Sequence, residues 1–367
     1  MRRLLKYQAI LFPVLDIALN GANYLFHLYV AWHLIPTDYG IANALLSLSA
    51  LMLVTGVSLQ IYTARQVALD AGTGGVGVAE RVSEIRRTAT LVVAGVSILY
   101  VVALLPLHGV TRGSFPSLLI LLVIFGLNAY LSINRGVIQG TKRFIHLNLS
   151  FYIEVGVKLV IVFFLLRSFP STDSVLLPIA AGMAVALAHS SAITRNWHGR
   201  HHQVGRSWHV QTHLARILRT FAANFFTYFF TSIDILIVNY FLPDESGYFA
   251  VVLKYTQILL FATLSVTTVF IPSLSGARGD PHLFTRKLWT LLGLVSAITL
   301  AVIGVYAVLA APTVDWFFGP QYASAKQYIL FDCLPYSLLI LNFLLINVHI
   351  VLDNRRYLLV LPIHAVA

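Results

Sequence analysis

Charged residues are scarce in this chain of 367 residues: only 11% are Asp, Glu, Lys or Arg, whereas 58% are hydrophobic. Soluble domains carry about 25% charged residues, so the composition argues against an ordinary soluble enzyme. The single cysteine, Cys333, excludes an internal disulfide and a cysteine metal cluster. The Gly-rich stretch 72–77 lacks the lysine of a phosphate-binding loop, and such a loop occurs nowhere else in the sequence, which excludes ATP hydrolysis of that kind.

The sequence is instead rich in long apolar stretches, and a helix needs about 20 residues to cross a membrane. The first stretch is too long for a signal peptide and contains Asp16 and Asn20, so we predict that it is a span. An eleventh span is predicted to begin at Tyr357, and the sequence ends inside it at Ala367. The ten spans before it are Ala9–Leu34, Tyr39–Gln66, Thr88–Leu107, Phe115–Gln139, Leu147–Phe169, Val175–Thr194, Thr220–Leu242, Gly247–Pro272, Leu288–Ala311 and Tyr328–Leu352.

Positive charge is sorted by the side of the membrane on which each loop lies. If the N-terminus is inside, the inner loops hold 19 Lys and Arg residues and the outer loops hold 3. The positive-inside rule therefore predicts a cytoplasmic N-terminus. The net charge of +11 is explained by this orientation and by contact with anionic lipid headgroups, and no nucleic-acid partner is expected. The remaining basic residues lie inside spans: Arg135, Lys158 and Lys254.

Two parts of the chain look like copies of one unit. The segment 34–40 resembles 241–248, and Lys142-Arg143-Phe144 resembles Arg355-Arg356-Tyr357. Six spans lie in the first copy, so both copies have the same orientation, as in parallel-repeat transporters. We predict an all-α polytopic membrane protein with a six-helix lobe at 1–195, a basic cytoplasmic linker at 196–217 and a second lobe at 218–367, which we expect to be incomplete and truncated.

Polar residues recur at helical spacing within four spans, and they predict stripes that share an aqueous cavity. The alternative is that Asn, Ser and Thr join helices by hydrogen bonds. The stripes are Asp16, Asn20, Asn23 and His27; Asn128, Ser132, Arg135 and Gln139; Asn224, Thr227, Thr231 and Asp234; and Asp332, Asn342 and His349.

Charged residues inside spans are costly and commonly functional. Glu154 and Lys158 stand four apart in the order that favours an intrahelical pair. Either they form a neutralised structural pair, or Lys158 awaits an anionic substrate group. Arg135, Lys254 and the rim residue Arg65 are equally open between orientation, snorkelling and binding. Because Asp16, Glu154, Asp234 and Asp332 nearly cancel the three span cations, we expect a mixed polar cavity. The histidines at 198–213 fit a solvated loop, so no metal site is predicted.

Several motifs resemble one known family across nearly the whole chain. They are Asn23-Tyr24-Leu25-Phe26 with 36–40, Arg135–Gly140 with Arg143-Phe144, Asp234 with 243–248, and 318–322 with Ala325. These are similar to segments of the bacterial oligosaccharide flippases (Wzx-type) of the multidrug/oligosaccharidyl-lipid/polysaccharide (MOP) exporter superfamily. The resemblance implies two six-helix lobes in a V around a central cavity. It also implies translocation of undecaprenyl-diphosphate-linked oligosaccharide across the bacterial inner membrane.

On that resemblance we expect alternating access without catalysis. The expected contacts with diphosphate or acidic sugars come from Arg135, Lys158, Lys254 and Arg65, and those with sugar hydroxyls from Asn20, Asn23, Asn128 and Asn224. Coupling to H⁺ or Na⁺ is assigned to Asp16, Asp234, Asp332 or Glu154, and no cofactor is expected. Polymerase and glycosyltransferase machinery are candidate partners. The alternatives are a cation-coupled drug or metabolite exporter of the same superfamily, a truncated non-transporting member, and a glycan polymerase or ligase, which would need a larger outer loop.

Overall fold

The computed structural model describes residues 2–72, 78–195 and 210–352, and the regular elements in these ranges are all helical. The all-α prediction is therefore confirmed. The predicted eleventh span and most of the linker lie outside the described residues. The helices are α1 (Arg2–His33), α2 (Pro36–Gly72), α3 (Val78–Val102), α4 (Leu104–Thr111), α5 (Phe115–Gly140), α6 (Phe144–Ser168), α7 (Asp173–Thr194), α8 (Val210–Phe241), α9 (Ser246–Gly276), α10 (Pro281–Phe317) and α11 (Lys326–Val351), with a short 3-10 helix at Pro320–Ala325.

Each of the ten predicted spans overlaps a helix, although Thr88–Leu107 is broken at Ala103 between α3 and α4. Several helices also run beyond the apolar stretch at its basic end. Helix α3 begins at Val78 rather than Thr88, and α10 begins at Pro281 rather than Leu288. The Asp280 carboxylate caps α10 by accepting the N–H groups of His282 and Leu283 at 3.0 and 3.1 Å. Hydropathy detects only the part of a helix that crosses hydrocarbon, so these polar extensions were not predicted.

Seven of the described helices are long and apolar enough to cross a membrane, or eight if the two halves of α8 count as one broken span. They make the protein a multi-pass membrane protein. The seven are Pro36–Asp70, Val78–Val102, Phe115–Gly140, Phe144–Ser168, Asp173–Thr194, Pro281–Phe317 and Pro320–His349.

The chain divides into two compact units that differ from the predicted lobes in two places. Unit 1 comprises residues 1–34 and 41–228, and unit 2 comprises 35–40 and 229–367. The turn between α1 and α2 thus belongs to unit 2, and the first half of α8 belongs to unit 1. The predicted boundary in the polar linker at 196–217 placed this turn in the first lobe, and it placed residues 218–228 of α8 in the second.

Helix α5 packs closely against α2 through glycines one turn apart. A Cβ on Gly136 would lie 2.7 Å from the Gln60 carbonyl oxygen, and one on Gly140 would lie 2.7 Å from that of Ala64. Small residues at this spacing allow helix backbones to approach closely in membranes. The Gln60 side chain also donates a 3.0 Å hydrogen bond to Gln139. Glycine spacing and a polar pair therefore fix the α2–α5 register.

A carboxylate joins the N-terminal ends of α5 and α7 in unit 1. Asp173 accepts hydrogen bonds from the hydroxyls of Ser114, at 2.9 Å, and Ser117. Ser114 in turn caps α5 by accepting the Ser117 N–H at 3.1 Å. At the basic end, Asn134 of α5 accepts from Arg86 of α3 and donates to Ser190 and Ser191 of α7. Polar groups thus connect α3, α5 and α7 at both ends.

In unit 2 the turn at 35–40 packs against the start of α9. A Cβ on Gly40 would overlap Ser246, and a Cβ on Gly247 would overlap the Pro36 backbone. These are the two segments that the sequence comparison paired as repeats. Beside them the rings of Tyr39 and Tyr322 meet edge to face, with centroids 5.5 Å apart. The apolar core of this unit is formed by α8 to α11.

We expect Gly136→Ala to destabilise the protein by about 1–3 kcal/mol, because the added methyl overpacks against a backbone carbonyl that cannot rotate away. Gly126→Ala, in the same helix, is the matched control, since nothing lies within 4 Å of its Cβ position. The measurement is thermal unfolding of both variants purified in the same detergent. Equal melting temperatures for the two variants would show that the α2–α5 contact is looser than described.

Candidate substrate and cation sites

A buried ion pair joins α5 to α6 in unit 1. An Arg135 guanidinium nitrogen lies 2.7 Å from a Glu154 carboxylate oxygen, and Arg135 is only 5% exposed. The guanidinium also donates to the Ser150 hydroxyl and carbonyl, at 3.1 and 3.0 Å, and lies 3.9 Å from the centroid of the Phe151 ring. Three of its N–H donors and its charge are therefore already engaged within the protein.

The predicted intrahelical pair of Glu154 with Lys158 does not form as a salt bridge. Glu154 turns to Arg135 instead, because a guanidinium offers several donors in a planar fork and an ammonium does not. The spacing rule considers one helix alone, and here the better partner lies on the neighbouring helix. Arg135, predicted as a free substrate contact, is therefore a structural residue in this arrangement.

Lys158 makes its direct contacts with neutral groups, and the nearby Glu154 carboxylate forms its salt bridge with Arg135. Its ammonium donates to the Asn23 side-chain carbonyl of α1 at 2.5 Å, and it lies 4.5 Å from the centroid of the Phe26 ring. The side chain is only partly buried. The cluster of Arg135, Glu154 and Lys158 carries two positive charges and one negative charge, so an accessible net positive charge remains at Lys158.

The polar stripe predicted on α5 lies between helices rather than along a cavity. Asn128 donates to the Leu53 carbonyl of α2 at 3.3 Å and packs against Gly56. Gln139 is bonded to Gln60. These amides join α2 to α5, as the alternative of helix-to-helix hydrogen bonds predicts. A contact of Asn128 with substrate stays a prediction.

The other predicted contacts are dispersed. Asn224 donates to the Thr220 carbonyl of its own helix at 2.8 Å. Lys254 of α9 is 5% exposed. Asn20 and Arg65 are exposed on α1 and α2, and the side chain of Asp16 lies outside the described part of the chain. Within the described part of unit 1, the predicted substrate residues that lie together are Arg135, Lys158 and Asn23.

Two of the predicted coupling acids line one cavity in unit 2. Asp234 of α8 and Asp332 of α11 both face a space of about 430 Å³. The rest of its lining is mainly apolar and aromatic, and includes Phe230, Phe249 and Tyr336. One carboxylate oxygen of Asp332 is buried without a hydrogen-bond partner. Two acids in an apolar pocket form a site that favours a proton or a cation.

The aromatic residues of both sites were not predicted from the sequence. Phe26 stands three residues after Asn23, and Phe151 stands three before Glu154, so each shares a helix face with a predicted polar residue. Tyr336 follows Asp332 by one turn. That spacing was available as a signal, but aromatic residues are so common in spans that it does not distinguish a site from packing.

Comparison with known proteins places the chain in a family. The profile of a family described as polysaccharide biosynthesis protein matches residues 127–327, which is more than half of the chain. This match runs from the middle of α5 to the start of α11 and includes Arg135, Glu154, Lys158 and Asp234. No curated protein matches the sequence.

Solved structures of transporters share the fold. A lipid II flippase, MurJ, in an inward closed conformation superposes with a TM-score of 0.76 at 13% identity, covering 97% of this chain and 79% of that one. An inward-facing multidrug resistance MATE family transporter gives 0.71 at 12% identity, covering 92% and 82%. A MOP superfamily transporter from Pyrococcus furiosus gives 0.65 at 13% identity, covering 94% and 82%. The chain therefore belongs to the polysaccharide biosynthesis protein family, and its fold is that of the transporters of the MOP superfamily.

Proposed function

We propose that the protein is a flippase that moves polyprenyl-diphosphate-linked oligosaccharides across the bacterial inner membrane by alternating access, with its N-terminus in the cytoplasm. The family match supports a role in polysaccharide biosynthesis. The observation that carries the proposal is Lys158, a partly buried cation in a predicted span whose contacts are an amide oxygen and an aromatic ring.

An uncompensated cation in a membrane span is costly unless a ligand offsets it. The substrate proposed here carries a diphosphate, whose oxygens accept hydrogen bonds from an ammonium. Lys158 has three donors, and Asn23 takes only one of them. The remaining donors and the net charge of the cluster provide for an anionic group of the substrate. Asn23 and Phe26 orient the ammonium.

The acids of unit 2 supply the coupling in this proposal. Asp234 and Asp332 share one cavity, and one oxygen of Asp332 has no partner, so an H⁺ or Na⁺ bound there would relieve both desolvation and repulsion. Glu154 is engaged by Arg135, so among the described candidates the proposal assigns the coupling to the two aspartates.

A second function is favoured by the same cavity. Its volume of about 430 Å³ exceeds what a single ion needs, and aromatic walls with two carboxylates suit an organic cation. A cation-coupled exporter of drugs or metabolites is therefore the alternative. Accumulation of lipid-linked oligosaccharide in a deletion strain, without a change in drug sensitivity, supports the flippase. A change in drug sensitivity without accumulation of lipid-linked oligosaccharide supports the exporter.

We expect Lys158→Gln to lower glycan export at least tenfold while the protein stays in the membrane, since glutamine keeps a donor for Asn23 but carries no charge. The assay is complementation of a deletion strain, with surface glycan normalised to protein level by immunoblot. Lys158→Arg should retain part of the activity. Lys326→Gln, which removes an exposed partner of Asp315, is the control and should be silent. Full export by Lys158→Gln would remove this residue from the mechanism.

We expect the Arg135–Glu154 ion pair to stabilise the folded protein. Arg135→Met and Glu154→Leu each leave one buried charge without its partner, which costs about 3–5 kcal/mol, whereas the double variant removes both charges. The amount of folded protein in the membrane should therefore decrease in each single variant and recover in the double variant. Fluorescence-detected size exclusion measures this. If the double variant folds as poorly as the single variants, Arg135 and Glu154 stabilise the protein by more than their mutual ion pair.

We expect Asp234→Asn and Asp332→Asn to abolish the response of transport to an imposed Na⁺ or H⁺ gradient, since each amide carries no titratable or ion-binding charge. Transport is measured in membrane vesicles at fixed internal composition. Asp315→Asn, an exposed acid of the same unit, is the control. Gradient-driven transport that persists in both variants would assign the coupling elsewhere.

A further inference from the structure

A buried hydrogen-bond chain attaches the first half of α8 to α2 and α3 within unit 1. The Tyr62 hydroxyl oxygen lies 2.6 Å from Nδ1 of His213, and Nε2 of the same ring lies 3.2 Å from a Glu84 carboxylate oxygen. Tyr62 and His213 are each 4% exposed and Glu84 is 8% exposed. Tyr62, His213 and Glu84 do not belong to the proposed substrate or cation sites.

Apolar contacts accompany the hydrogen bonds at the same place. One turn after His213, Ile217 is 3% exposed and belongs to a core cluster with Leu59, Tyr62, Val82 and Ile85. The first half of α8 is therefore docked by a small apolar anchor and by one polar chain. A docking contact of this size is sensitive to the loss of a single buried hydrogen bond.

The charges around the ring balance when the imidazole is neutral. Arg81 contacts Glu84 at 3.1 Å and Asp70 at 3.5 Å, and Arg216 interacts with Tyr62 and His213. Glu84, Arg81 and Arg216 act on the ring itself, and Asp70 pairs with Arg81, so these four described groups sum to zero. A neutral ring accepts from Tyr62 and donates to Glu84, so both nitrogens are satisfied.

Protonation of His213 disturbs both features. The ring then carries donors at both nitrogens, so the Tyr62 hydroxyl loses its acceptor. The buried group also gains a net positive charge beside two arginines, although Glu84 partly offsets it. Docking is therefore strongest where the imidazole is neutral and weakens as the pH falls.

We propose that Tyr62, His213 and Glu84 form a pH-sensitive latch that holds the first half of α8 on α2 and α3 and releases it when His213 is protonated. His213 is a positioning residue in this device. The latch lies at the basic ends of the helices, which the charge pattern assigns to the cytoplasm, and it does not depend on which substrate is carried.

The test measures docking directly in the full-length protein. Spin labels at Leu218 of α8 and Leu91 of α3, both exposed, report the α8–α3 distance by double electron–electron resonance after Cys333→Ala removes the native thiol. Between about pH 8 and about pH 5 the imidazole changes charge. We expect a second, longer distance to rise about tenfold in population over this range, which corresponds to about 1.4 kcal/mol.

Matched variants separate titration of His213 from other effects of acid. His213→Gln keeps a donor and an acceptor but does not titrate, so its distance distribution should not change with pH. His146→Asn replaces an exposed histidine of the same unit and should leave the pH response intact. Glu84→Gln weakens the latch and should move the release to higher pH, which gives a second reading if His213→Gln folds poorly.

Two results would overturn the latch. One is a distance distribution in the labelled protein that is independent of pH. The other is an acid response in His213→Gln equal to that of the parent, which would place the titrating group elsewhere. Neither result bears on Lys158 or on glycan export, so the latch and the proposed transport function fail independently.

Discussion

The position of one carboxylate determines how charge is distributed in unit 1. Glu154 stands one turn from Lys158 on α6 but pairs with Arg135 on α5 at 2.7 Å. A buried arginine without a partner would be strongly destabilising, so an arginine at this position of α5 requires the carboxylate on α6. Among the described residues, Lys158 then has Asn23 and Phe26 as its hydrogen-bond and aromatic contacts. The structural need of α5 thus produces the accessible cation on α6.

Helix α5 meets its neighbours through chemically different faces. Gly136 and Gly140 bring its backbone against α2, where Asn128 and Gln139 add hydrogen bonds. Its opposite polar groups, Arg135 and Asn134, bond to α6 and to α3 and α7. Hydrocarbon offers no hydrogen bonds to polar groups, so each polar side chain on α5 has its partner within the protein. Helix α5 therefore provides the packing surface for α6, the helix that carries Lys158.

The sequence predicted what depends on single helices and missed what depends on pairs of helices. Ten helices follow from apolar length alone, and Asp234 and Lys158 stood out because charge in a span is rare. The partner of Glu154 could not be predicted, because the spacing rule ranks Lys158 first and knows nothing of Arg135 on α5. The unit boundary was missed for a related reason. Tyr62 and Glu84 bind His213 across 151 and 129 residues of sequence, a contact that linker composition does not reveal.

The near balance of acids and bases in the spans predicted one mixed polar cavity. The structure instead describes one site of net positive charge in unit 1 and one acidic cavity in unit 2. Around Lys158 the described side chains sum to one positive charge, and the partners of the lysine are neutral. The cavity of unit 2 holds Asp234 and Asp332 and no basic residue in its lining. Opposite charges that shared one cavity would neutralise each other and bind little. In the proposed function, an anionic substrate at Lys158 and a coupling cation at the two aspartates would bind to different units, so neither would displace the other.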